Sequence, residues 1–121
     1  MMEKTILIID DDSSILDVLD VALSSNFSVQ LINNPEQLAD HLANYLPHLF
    51  LIDYGLPHKD GFTICKELKE DERTKHIPVI LFSANRISAM LLKDSHCDAY
   101  IQKPFDLWEL EKVIKKFLLT S

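Results

Sequence analysis

TILIIDDDSSIL, residues 5–16, is the stretch whose reading decides the fold. Four aliphatic residues, 6–9, run without a break, and three aspartates, Asp10, Asp11 and Asp12, follow at once. A short run that is apolar on both sides reads as a strand buried on both faces, as in a parallel sheet covered by helices. The acids therefore stand where a buried strand reaches the sheet edge, and that much negative charge there needs a physical reason.

Outward from this stretch, apolar runs alternate with amphipathic ones. Ile15, Leu16, Leu19 and Leu23 share one face of a predicted helix. FSVQLI (27–32) alternates as a strand, and NNPEQLADHLANYL follows as a helix. In that helix Asn34 can cap, Pro35 suits the first position, and Leu38, Leu42 and Leu46 line the apolar side. HLFLID (48–53) is the third strand, YGLPHKDG is turn chemistry, and residues 62–70 form a helix with Ile64, Cys65 and Leu68 inward. VILF (79–82) is the fourth strand, a helix surrounds Ile87 and Leu91, and DAYIQ (98–102) is the fifth strand. Residues 106–118 close the series as a helix, with Asp106 and Glu109 spaced like a capping box. Five βα units predict one α/β domain over residues 1–121 with a doubly wound, five-stranded parallel sheet. Sites in such sheets form beyond the carboxyl ends of the strands.

The totals agree with one core. The chain has 121 residues, 47% hydrophobic and 26% charged, which argues against disorder. Its net charge of −7 disfavours direct nucleic acid binding. No apolar run nears 18 residues and no leader is evident, so a cytoplasmic location is expected. Cys65 and Cys97 lack metal-ligand spacing and read as buried free thiols. The histidines at 41, 48, 58, 76 and 96 show no ligand spacing and are expected on the surface or in loops. With only Gly55 and Gly61 in the chain, glycine-rich nucleotide loops are excluded.

The strand ends carry an unusual set. Strand one ends in Asp10 and Asp11, strand three in Asp53, strand four in Ser83 and strand five in Lys103. A parallel sheet sends all of them to one edge. Like charges about 4 Å apart repel by ~1 kcal/mol in water and by several times more in a partly desolvated cleft. Such a cluster requires a cation, and hard carboxylates with open water positions suit Mg²⁺. A hydroxyl and an ammonium beside it complete a set suited to phosphoryl transfer, where catalysis is mostly positioning and charge neutralisation.

Here the chain resembles the receiver domain of two-component response regulators. ILIIDDD, LFLIDYGLPHKDG, PVILFSA and DAYIQKPF carry the resemblance along nearly the whole length. It implies a flavodoxin-like sheet of order 2-1-3-4-5. It makes Asp53 the phosphoacceptor, attacking a phosphohistidine on a sensor histidine kinase or phosphotransfer protein. Asp11 becomes a direct Mg²⁺ ligand, Asp10 a partner acting through water, and Gly55 a carbonyl ligand. Ser83 and Lys103 contact the phosphoryl group, and Tyr100 is a switch aromatic that turns inward when Ser83 moves. Pro104 matches a proline often preceded by a cis bond, and Gly55 and Asn85 match positions that modulate decay of the phosphoryl group. The resemblance also implies a changed surface on the last two helices and fifth strand, read by a downstream target or effector domain or by a second, phosphorylated copy.

Two positions depart from the pattern. His96 stands where the family has glycine, and Trp108 falls off the apolar stripe of the last helix, leaving open an exposed contact role or partial burial. Two competing functions are weighed. A Mg²⁺-dependent phosphatase of the haloacid dehalogenase kind would use Asp10 as nucleophile and Asp12 as acid-base, but it leaves Asp53 unexplained. A pseudo-receiver would only bind partners, yet usually lacks one of the acids or the lysine.

Overall fold

The computed structural model describes residues 3–57 and 59–119. His58 and the extreme ends of the 1–121 span lie outside the described residues. The elements in order are β1 (Thr5–Ile9), α1 (Ser13–Leu23), β2 (Ser28–Ile32), a 3₁₀ turn (Pro35–Gln37), α2 (Leu38–Asn44), β3 (Leu49–Asp53), α3 (Gly61–Glu70), β4 (Val79–Ser83), α4 (Ala89–Ser95), β5 (Ala99–Gln102) and α5 (Leu107–Leu118). All strand pairs are parallel, in the order β2-β1-β3-β4-β5. This is the flavodoxin-like arrangement expected of the sequence.

The pleat sorts the apolar residues of each strand to two faces. Ile6, Ile8, Leu49, Leu51, Ile80 and Phe82 pack against Leu16, Leu19 and Leu23 of α1 and Leu110 and Ile114 of α5. Leu7, Ile9, Phe50, Ile52, Val79 and Leu81 pack on the opposite side against Ile64, Cys65 and Leu68 of α3. β3 and β4 are buried along their whole length, which is why their sequences show no alternation. Each fully buried Leu or Ile contributes about 1.5–3 kcal/mol by its removal from water.

The helix starts follow side-chain caps. Asp12 Oδ1 accepts from the Ser14 and Ile15 amides, Asp60 caps α3 through the Thr63 amide, and Asp106 caps α5 through the Trp108 amide. Two helices are shorter than their patterns predict. Asn34 does cap the second one, but the chain makes a 3₁₀ turn before α2, which runs only to Asn44. Tyr45 is extended, with Pro47 two residues on, so the pattern through Leu46 outlasts the helix. In the fourth, Ile87 is buried ahead of the helix, and Ser88 caps it by accepting from the Leu91 amide.

Both cysteines are free; Cys65 is buried and Cys97 half-buried. Burial pushes the Cys65 thiol up to about 12 and raises that of Cys97, so neither is a thiolate near neutrality. His41 is half-buried, whereas His48, His76 and His96 are exposed. His48 accepts the Thr5 amide through Nδ1 at 2.9 Å, which requires a neutral ring; partial burial and nearby Lys4 lower its pKa accordingly.

His96 ends α4 with φ 61, the left-handed conformation that glycine adopts without cost. It has the sole positive φ among the described non-glycine residues. His96→Gly is therefore expected to raise stability by about 0.5–1 kcal/mol, read from the denaturant midpoint at unchanged slope. A lower midpoint would show that the imidazole makes a contact worth more than the strain.

Candidate functional site

The ladder extends one residue past β1, β3 and β5 at the carboxyl edge. The Asp10 amide donates to Ile32 O (3.1 Å), the Tyr54 amide to Phe82 O (2.8 Å) and the Lys103 amide to Ser83 O (2.7 Å). These bonds fix the backbone on which the site residues stand. Side chains two apart share a face. The row Ile6, Ile8 thus ends in Asp10, the row Leu49, Leu51 ends in Asp53, and the row Ala99, Ile101 ends in Lys103, all on the α1/α5 side.

Oxygens of Asp10, Asp11 and Asp53 all lie within 4.8 Å of one another. Asp10 is fully buried, Asp53 is 7% exposed and Asp11 is exposed, so the cluster runs from the interior to the surface. Lys103 Nζ stands 3.5 Å from Asp10 Oδ2 and 3.5 Å from Asp53 Oδ1. Asp10 Oδ1 accepts the Asp12 amide at 2.8 Å, and Asp53 Oδ1 accepts the Gly55 amide at 3.3 Å. Asp10 Oδ2 is buried and has no hydrogen-bond partner among the described residues.

That oxygen, near the Lys103 ammonium but accepting no hydrogen bond, tests the fit of a cation. A buried carboxylate oxygen without a donor is costly, and beside it stand two further carboxylates with one lysine to balance them. The donor set is all oxygen, partly open to water, and suits Mg²⁺ better than a softer metal. Asp10, Asp11 and Asp53 are the side chains that could hold it, and the Gly55 carbonyl is near in sequence.

Ser83 is buried, and its Oγ accepts the Asn85 amide at 3.1 Å while keeping its own proton for an acceptor. Half-buried Tyr100 donates its hydroxyl to the Asn85 carbonyl at 3.0 Å. Both side chains are thus tied to one peptide segment after β4. The Lys103–Pro104 bond is cis. Trp108 is 67% exposed, deciding between the two readings its sequence position allowed: it is a surface residue, with Lys112 Nζ 5.2 Å from its ring.

Sequence reasoning missed two residues. Gly61 entered the sequence reading only as one of the chain's two glycines, in the turn before a helix. A Cβ there would lie 2.6 Å from the Asp53 carbonyl oxygen and 2.8 Å from Tyr54 Cα, so glycine lets α3 abut the backbone of Asp53. Phe82 looked like one more apolar strand residue, yet Lys103 Nζ sits 4.7 Å from its ring centroid.

Burial raises the Asp10 carboxyl to about 6, opposed by the Asp12 amide and reinforced by Asp53. A carboxyl held above its ordinary value favours folding in acid, and that contribution is lost as pH rises through about 6. In metal-free protein, Asp10→Asn should therefore be more stable than the parent at pH 7.5, by on the order of 2 kcal/mol, with the difference shrinking toward pH 5. Paired melting curves across this range check it; a difference independent of pH would contradict it.

The comparisons with known proteins agree with this geometry. Residues 6–115 match the response regulator receiver domain family. The response regulator Rre1 of Synechocystis sp. is 30% identical over 94% of this chain, and the transcriptional regulator RpaA of the same organism is 35% identical over 93%. The chain spans about half the length of these curated relatives, 51% and 48%. The structure of the phosphorylated cyanobacterial phytochrome response regulator RcpA superposes with a TM-score of 0.81 at 25% identity, covering 98% of this chain and 96% of that one. With a match over residues 6–115 and the sheet order β2-β1-β3-β4-β5, the chain belongs to the receiver domain family of two-component response regulators.

Proposed function

We propose that this receiver domain is a phosphorylatable switch with Asp53 as its phosphoacceptor. The observation that carries the reading is the meeting of Asp53 with Asp10, Asp11 and Lys103 at one sheet edge. The donor is the phosphohistidine of a sensor histidine kinase or a phosphotransfer protein. An Asp53 carboxylate oxygen attacks phosphorus as the P–N bond to the imidazole breaks, the electron pair returning to the ring nitrogen. Asp10, Asp11, Asp53 and the Gly55 carbonyl would hold Mg²⁺, which when bound supplies charge neutralisation for the transferring group. Lys103 places a second positive charge on the same group, and Ser83 donates its free proton to it.

The response follows from the segment after β4. As Ser83 turns toward the phosphoryl group, the Asn85 peptide shifts and the Tyr100 hydroxyl loses its acceptor. Tyr100 then repacks inward, and the α4–β5–α5 surface changes. This is a population shift between two packings, biased by the phosphoryl contacts. The change would be read by a protein target, by an effector domain or by a second phosphorylated copy. RcpA is described as phosphorylated, which supports the modification. Net charge −7 disfavours nucleic acid as the direct ligand of this domain. Among the described residues no helix is long and apolar enough to cross a membrane, and a cytoplasmic setting fits a kinase partner. The whole of residues 1–121 is taken as one receiver unit.

The phosphatase alternative needs Asp10 to be the nucleophile. Its complete burial, with Oδ1 held by the Asp12 amide, opposes that role. Treatment with acetyl phosphate and Mg²⁺, then mapping of the acyl phosphate after hydride trapping, should mark Asp53, and Asp53→Asn should abolish the label. Label on Asp10 would favour the phosphatase, and no label with no response to beryllofluoride would favour a binding-only pseudo-receiver.

A further inference from the structure

Lys103 reaches its carboxylates by a route that the strand order dictates. It extends the β5 row, whereas Asp53 ends the β3 row and Asp10 the β1 row. Neighbouring strands are about 4.8 Å apart, so the lysine must span roughly 10 Å across the intervening strand to approach Asp53. The intervening strand is β4. Register sets what lies beneath the crossing: Asp53 pairs with Phe82, and Phe82 pairs with Ile101, two residues before Lys103 and on its face. The side chain that ends the β4 row under the lysine is therefore Phe82.

Geometry there is that of a cation on an aromatic face. The ammonium lies 4.7 Å from the ring centroid of Phe82, which is fully buried. Phe105, just past the cis bond, packs edge-on against the same ring at 6.0 Å and 90°, fixing its plane. Both carboxylate distances are 3.5 Å, longer than the 2.7–2.9 Å of a charge-assisted hydrogen bond. Neither acid has captured the lysine, and the ring supplies attraction from below without occupying any of its three donors. An aliphatic residue at this position would fill the space and attract nothing.

We propose that Phe82 is a positioning residue: its π face carries the Lys103 ammonium across β4 and holds it short of either carboxylate, with its N–H groups free for an incoming phosphoryl oxygen. The last part rests on the phosphoacceptor reading of Asp53. Without the ring, the ammonium would settle onto Asp10 or Asp53 and would have to be pulled off before it could serve a phosphoryl group.

Site-specific replacement of Phe82 by mono-, di- and trifluorophenylalanine weakens the ring's negative face while nearly preserving its size. Two readouts are made on the intact chain: beryllofluoride affinity in Mg²⁺, and the upfield ring-current shift of the Lys103 ε-methylene protons. Affinity should fall stepwise, by roughly threefold to tenfold at trifluoro, and the upfield shift should shrink in parallel as the lysine leaves the ring. Phe82→Leu should lose the shift outright. A flat affinity series in a chain that binds beryllofluoride would overturn the role of Phe82 and leave Asp53 untouched. If the parent chain does not bind beryllofluoride, the phosphoacceptor reading fails; the lysine shift then decides the ring contact alone, and a shift unchanged through the series overturns it.

Discussion

Three carboxylates crowd the carboxyl edge of one sheet, and their mutual repulsion is the constraint on which the surrounding structure depends. Asp10 is fully buried and Asp53 nearly so, which makes that repulsion larger than at a surface. Protein groups relieve only part of it. The Asp12 and Gly55 amides donate to one oxygen each, and Lys103 balances a single charge from 3.5 Å. Burial above all, with the Asp53 charge adding to it, leaves the Asp10 pKa raised, and its Oδ2 accepts no hydrogen bond from the described residues. This unsatisfied charge lies at the open edge of the sheet, where a bound cation would relieve it.

The apolar rows that build the core also build the site. Rows that hold Ile6 and Ile8, or Leu49 and Leu51, against α1 and α5 end one pleat later in Asp10 and Asp53. A register slip of one residue would send both acids to the other face. The core packing of residues such as Leu51 and Ile80 thus sets the spacing of the acids. Gly61 adds a second link, because α3 can start against the Asp53 backbone only if no Cβ intervenes.

Much of this was legible in the sequence. Continuous apolar runs marked the buried strands to within a residue, since burial on both faces leaves no room for polar interruptions. Asp10, Asp11, Asp53, Ser83 and Lys103 could be assembled because a parallel sheet sends every strand end to one edge. Helix lengths were less legible: α2 stops at Asn44 because Tyr45 turns extended, which the leucine spacing through Leu46 does not reveal. His96 was marked by the resemblance, as a side chain where the family has glycine, and the structure gives it a φ of 61. Phe82 and Gly61 were not legible as site residues. Their roles come from which strand a lysine crosses and which backbone a helix meets, and neither relation is local in the chain.

The central claim is that this carboxylate cup is built for a cation. Its most direct measurement is the melting temperature of the chain titrated with Mg²⁺ at constant ionic strength and neutral pH, beside Asp11→Ala. Binding to the folded cup alone predicts a saturable rise, about 2.7 kcal/mol of stabilisation at 100 times the dissociation constant, with none in the variant. A parent chain indifferent to Mg²⁺, or a full rise that survives loss of the Asp11 carboxylate, would contradict it.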